Sequence, residues 1–183
     1  MENFVKLDDF RQEEILKIAI KEFGEKGFKS ASTTDIAKRA GIGKGTLFFY
    51  FNTKVELYRY IIEYGLKYLK EKYFDKIDNG NSDFIERLRD ISRLKLELYL
   101  DKPYIFDFFI NTQINEKGEY VPEDLKKEIE KMMSEVPKRI YENIDRTMFR
   151  KDLDEETNMK LIRWSVEGYQ KELERKNRAR KSN

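Results

Sequence analysis

Between Lys26 and Arg59 the chain carries seven Lys/Arg against two acids. Within that stretch the basic residues are interleaved with small, hydroxylated and aromatic side chains: Thr33, Thr34, Lys44, Gly45, Thr46, Phe48, Phe49, Tyr50 and Lys54. The chemistry open to such a set is recognition of a polyanion. Ammonium groups and threonine hydroxyls hold phosphate oxygens, and side chains on a short exposed helix reach base edges if its backbone lies in a major groove. Lys171 to Asn183 repeats the imbalance, six basic residues to two acids, while the rest of the chain holds twenty-four basic and thirty-one acidic residues. The net charge of +2 therefore conceals a basic head on an acidic body.

Other chemistries lack their parts. The sequence has no His and no Cys, which removes imidazole and thiolate ligands, disulfides and His-based catalysis, so neither a metal nor a cofactor is expected. A small helical enzyme would have to work with Asp, Glu, Lys or Tyr, and no paired-carboxylate or nucleophile signature is present. No apolar run approaches the roughly 20 residues that cross a bilayer, and Met1-Glu2-Asn3 does not resemble a secretory signal, so a cytoplasmic protein is expected, with no membrane partner.

The elements that must position these residues follow from capping chemistry and apolar spacing. With 39% charged residues and few Pro and Gly, the composition suits an all-α chain. Asp9 with Gln12 reads as a capping box, and Ile15, Leu16, Ile18, Ala19, Ile20 and Phe23 recur at helical spacing up to Gly24 and Gly27. Ser32-x-x-Asp35 opens a second helix through Ile36, Ala37 and Ala40, with Gly41 placed as a left-handed C-cap. A short third helix runs from Lys44 to Phe51, stopped by Asn52 and Thr53, and Thr53-x-x-Glu56 opens a long fourth. After the turn cluster Asp78 to Ser82, helices are predicted over 83–100, 103–114, 122–149 and 155–176, with loops at Glu116–Glu119 and Arg150–Asp152. Ile36, Ala37, Ala40, Ile42, Leu47 and Phe51 can form the core that fixes the third helix against the second. Ser32 or Thr33 caps the second helix, and Phe48 suits core and interface equally.

Arg11, Ile15, Ala19, Phe23, Gly27, Phe28, Thr33, Ile36, Ala37, Ala40, Gly41, Gly45, Thr46, Leu47, Phe48, Tyr50, Phe51, Lys54 and Leu57 resemble, in type and spacing, the TetR family of transcriptional regulators. The resemblance covers roughly the first third of the chain. It implies a three-helix head containing a helix-turn-helix, joined by the long fourth helix to a C-terminal helical domain that dimerises and binds an effector. The implied division is 1–53 for DNA binding and 54–183 for ligand binding and dimerisation, with 171–183 a basic tail prone to disorder. Carried over by position, Lys44 and Phe49 read bases, Gly45 permits close approach, and Thr33, Thr34, Thr46, Phe48, Tyr50 and Lys54 position the backbone of a double-stranded operator. Three positions depart from the family pattern. Gly43 stands where Ser or Thr often caps the recognition helix, Phe48 replaces Tyr, and Phe49 occupies a commonly polar position, suiting apolar contact with a thymine methyl.

The body offers Tyr99, Tyr104, Phe108, Phe109, Met132 and Trp164 as candidates to line a pocket for a small, largely apolar effector. For any single one of them ordinary helix packing is the better explanation. Asp107, Asn111, Arg139 and Arg163 are the candidates for buried charge. Leu161, Trp164, Ser165, Gly168 and Tyr169 form a face suited to a homodimer, which places two short helices in successive grooves. The apolar helix that completes such an interface in the resembled family does not follow them. The leading expectation is a repressor that leaves a palindromic operator when its effector binds, with activation as the opposite polarity. The alternative of another class is a helical interaction module that no longer reads DNA.

Overall fold

The computed structural model describes residues 2–112 and 118–181, with backbone alone at Glu167, Gln170, Lys171 and 173–181. Eight α-helices carry the fold, and no strand occurs among the described residues. The chain divides into two compact units, Met1–Asn143 and Ile144–Asn183.

The first unit holds seven helices: α1 (Asp9–Ser30), α2 (Thr33–Arg39), α3 (Lys44–Phe51), α4 (Lys54–Lys72), α5 (Phe84–Asp101), α6 (Pro103–Ile110) and α7 (Glu123–Tyr141). Their starts follow the side chains that accept the first free backbone N–H groups. Ser32 accepts from the Asp35 amide, Thr53 from that of Glu56, and Asp83 from those of Ile85 and Glu86. At α1 the cap is Asp8, which accepts from the Arg11 amide at 3.0 Å, rather than Asp9. The helix also continues past Gly24, its backbone leaving helical geometry at Gly27 with φ 72°.

One apolar core runs through the unit, including Ile15, Ala19 and Phe23 of α1, Leu47 and Phe51 of α3, Leu57 and Ile61 of α4, and Ile105 and Phe108 of α6. α1 approaches α6 so closely that a Cβ on Gly24 would lie 3.2 Å from the Phe108 Cα. Arg59 ties α4 to α7 through Asp124. The helix expected to continue to Phe149 stops at Tyr141, because Asn143 adopts φ 57° and turns the chain. Of the expected helix 103–114, Ile110 is the last residue of α6, and residues 113–117, which include part of the expected loop, lie outside the described residues.

Buried charge falls elsewhere than expected. Asp107 and Arg163 are exposed and Asn111 and Arg139 half-buried, whereas Glu22 and Arg87 are 0% and 2% exposed. The Arg87 guanidinium donates to the carbonyls of Asn81 (2.9 Å), Asn79 (2.9 Å), Ile140 (3.0 Å) and Glu142. It thereby fastens the turn before α5 to the carbonyl end of α7.

The second unit consists of a short 3-10 turn at Arg146–Met148 and α8 (Glu155–Lys181). Asp154 accepts from the Thr157 amide at 2.7 Å, and Asn158 Nδ2 donates to the carbonyls of Arg150 and Leu153 at 3.0 and 3.1 Å. The backbone stays helical through Lys181, across most of the segment expected as a tail. Among the described residues no helix is long and apolar enough to cross a membrane.

Candidate nucleic-acid interface

The turn between α2 and α3 is closed by two hydrogen bonds at a left-handed residue. Gly41, at φ +64°, donates its amide to Lys38 O at 3.1 Å, and Ile42 donates to Ala37 O at 3.0 Å. This pairing satisfies the last carbonyls of α2 and aims the chain sharply into α3, a bend that any Cβ at φ +64° would strain. Arg11 reaches from α1 to donate to Ala40 O at 2.6 Å, holding the turn from behind. Ile36, Ala37, Ala40, Leu47 and Phe51 are buried, and Ile42 is half-buried, as the apolar spacing predicts.

Glu22 supplies a second brace. Its carboxylate accepts from the Ser32 amide (3.0 Å), Lys26 (2.7 Å) and Arg39 (3.2 Å), so that one buried group grips both ends of α2. Burial alone would raise its pKa, but the hydrogen bonds from Lys26 and the Ser32 amide outweigh it and hold it below 4.5. A folded pKa below the unfolded one contributes stability above the unfolded value, and that contribution fades as pH falls through the folded value. The Glu22→Gln variant is therefore expected to lose about 1–3 kcal/mol at pH 7 and to lose less than the parent on further acidification below about pH 4.5. Thermal unfolding followed from pH 7 to pH 3 checks this. Equal acid losses in parent and variant would remove Glu22 from the role.

With its back so fixed, α3 turns its other face to solvent. Lys44, Gly45, Thr46 and Phe49 are exposed, and the Phe49 ring is 63% exposed. A Cβ at Gly45 would meet nothing within 4 Å. No side chain caps α3, since its N-cap is Gly43. The Lys44 ammonium stands 5.9 Å from the Phe48 ring centroid and forms no ion pair among the described residues. Phe48 and Tyr50 are half-buried at the flanks of this face, Thr34 is exposed and Thr33 half-buried at the start of α2, where Ser32 makes the cap.

Lys54 is drawn partly inward. It donates to Lys29 O at 3.1 Å, lies 5.1 Å from the Phe28 ring centroid, and has its pKa lowered by burial, with the Glu22 charge opposing. It thus pins the first turn of α4 to the end of α1 before any ligand is considered.

Five of the residues expected to line an effector pocket lie in the first unit. Tyr104 and Phe108 are buried in the core, Phe109 is half-buried with its ring 5.3 Å from that of Phe108, and Met132 packs at the core edge. Tyr99 is exposed and edge-on to Phe106 at 6.2 Å. A depression of about 300 Å³ beside α5 is lined by Lys76, Asp78, Arg87, Arg93 and their neighbours. In the second unit Leu161, Trp164, Ser165, Gly168 and Tyr169 are all exposed along α8, Trp164 by 57%.

A short helix locked across a tight turn against its predecessor, with a basic and aromatic outer face, defines a helix-turn-helix DNA-binding protein. Residues 15–61 match the model of the bacterial regulatory proteins of the tetR family. The HTH-type transcriptional repressor KstR2 of Mycobacterium tuberculosis is 28% identical over 156 residues, covering 84% of this chain and 76% of that protein. The HTH-type transcriptional regulator YvdT of Bacillus subtilis, itself uncharacterized, is 36% identical over 74 residues, 40% of this chain and 38% of that one. A TetR family transcription regulator from Marinobacter aquaeolei shares the fold, with TM-score 0.59 at 18% identity, covering 88% of this chain and 86% of that one. Residues 15–61 thus carry a head of the TetR type, and over most of its length the chain is similar to a transcriptional repressor, which supports DNA-binding transcription regulation as its function.

Proposed function

We propose that the chain is a cytoplasmic, homodimeric repressor whose two α3 helices enter successive major grooves of a palindromic operator and which a small, largely apolar effector releases. The observation that carries this reading is the outer face of α3, where Lys44 and Phe49 project from a helix whose inner face is wholly committed to the core. Lys44 reaches guanine acceptors and Phe49 a thymine methyl, while Thr33, Thr34, Thr46 and Tyr50 hold the flanking phosphates and Phe48 packs beside the backbone. Lys54 spends one of its three donors on Lys29 O and keeps two for a phosphate.

The apolar stripe of α8 supplies the dimer surface, because an exposed Trp, Leu and Tyr on one face of a helix gain by being covered by a partner. The repressor named among the relatives supports the sign of regulation. Release follows from the shared core. α6 packs its Phe108 against α1, and Tyr58 of α4 faces Thr112 at 3.4 Å, so an effector entering beside Phe108 and Phe109 displaces both helices that carry the head. Such coupling is typically worth about 1–3 kcal/mol.

Gly45 separates this reading from a purely structural one. Inside the protein an alanine there meets nothing, so Gly45→Ala is expected to stabilise the fold by up to about 1 kcal/mol through helix propensity. On DNA the added methyl keeps the α3 backbone off the phosphates and weakens binding to every duplex. Thermal melting and fluorescence anisotropy on one preparation test the pair of signs. Binding that rises or holds constant in the stabilised variant would count against a DNA-facing α3.

A further inference from the structure

Ahead of α1 lies a short arm, Glu2 to Leu7, that no function has absorbed. Its one buried side chain is Phe4, 0% exposed although it precedes the first helix. The ring is inserted between α3 and α4, with centroids 4.6 Å from Phe51, 5.4 Å from Tyr60 and 5.8 Å from Tyr50, the last two edge-on. The arm backbone is held in place twice. Leu7 N donates to Phe4 O at 3.1 Å, and Gln12 Nε2 of α1 donates to Leu7 O at 2.7 Å and Val5 O at 3.4 Å. Tyr50 in turn touches Phe49, at 6.0 Å between centroids.

We infer that Phe4 is a positioning residue for sequence reading: its ring is the wedge that sets the tilt of α3 and the orientation of Tyr50 and Phe49, so that the arm is part of the DNA-reading apparatus. The inference rests on the assignment of α3 as the reading helix. The physical case is one of leverage. α3 has eight residues, and its inner face touches α2 through Leu47 and its end is stopped by Phe51 and Asn52. Phe4 reaches α3 from outside the chain segment 9–183 and bears on two of the four aromatic residues of its last turn, Tyr50 and Phe51. An emptied wedge site lets Phe51, Tyr50 and Tyr60 collapse toward one another, because tightly packed interiors relax into voids. A shift of about 1 Å at a reading helix is enough to misplace groups that must meet base edges.

The experiment compares the parent with Phe4→Ala, Phe4→Leu and Gln12→Ala on two duplexes, a site selected from random DNA by the parent protein and a scrambled one. Each is measured well below the variant's melting temperature. Phe4→Ala is expected to lower the ratio of selected-site to scrambled affinity by about tenfold, the discrimination of one good base pairing, with scrambled binding falling far less and its salt slope unchanged. Phe4→Leu refills most of the wedge and restores most of the ratio. Gln12→Ala, which releases the arm without opening a cavity, moves the ratio in the same direction by less. A ratio unchanged in Phe4→Ala and Gln12→Ala overturns the inference, as does a loss that affects both duplexes equally. If the parent itself selects no site, it is the assignment of α3 that fails, an outcome distinct from the others.

Discussion

Replacing Lys44 and Phe49 together with alanine is expected to cut the preference for the protein's own selected site over random duplex by about 100-fold, at about one to three kcal/mol per base read. Both side chains are exposed and neither supports the core, so folding and melting temperature should stay within about 0.5 kcal/mol of the parent. Non-specific binding should fall only by the share of one lysine per protomer, visible as a salt slope shallower by roughly one unit for each phosphate no longer neutralised. Electrophoretic or anisotropy titrations at several salt concentrations distinguish the cases. A uniform loss on all sequences would show that the two residues only hold the backbone.

The second large effect is one of stability. Arg87→Ala is expected to lower the unfolding free energy by about 2–4 kcal/mol, since it empties the packed site of a 2% exposed guanidinium and takes one donor group from four carbonyls at once. The guanidinium's five donors serve carbonyls on both sides, those of Asn79 and Asn81 before α5 and those of Ile140 and Glu142 at the end of α7. Without it these acceptors lose their shared charged donor, and the carbonyl end of the α7 dipole is deprived of a cation. Arg87→Lys should recover only part of the loss, since one ammonium cannot span both groups. Urea unfolding followed by far-UV circular dichroism measures the difference, and a change under about 1 kcal/mol would remove Arg87 from this role.

The head is legible in the sequence because its determinants are local. Ser32, Gly41, Asn52 and Thr53 fix α2, the turn, and the limits of α3 and α4 within a few residues of themselves, and α3 spans Lys44–Phe51 as the pattern predicts. What escapes a sequence reading is long-range. The end of α7 depends on a left-handed Asn143 and on Arg87, more than fifty residues away. Arg87 shares its helix face with Phe84 and Ile91, and Glu22 with Ile18 and Ala19, but that spacing does not name the groups that hold the charge, the carbonyls at the end of α7 for Arg87 and the Ser32 amide and Arg39 for Glu22. Phe4 lies outside any periodic run, and its partners come from α3 and α4. Lys54 shows the same limit from the other side. Its place at a helix start suggests a phosphate ligand, whereas only the folded chain brings Lys29 O and Phe28 beside it.

Selection of bound sites from a pool of random duplexes, followed by titration of the enriched sequence across a range of salt, bears most directly on the reading role of α3. The expected product is a palindrome whose half-sites are spaced by about one helical turn or more, bound at least about 1,000-fold more tightly than the starting pool. Failure to enrich any sequence, or enrichment unaffected by replacing Lys44 and Phe49, would contradict it.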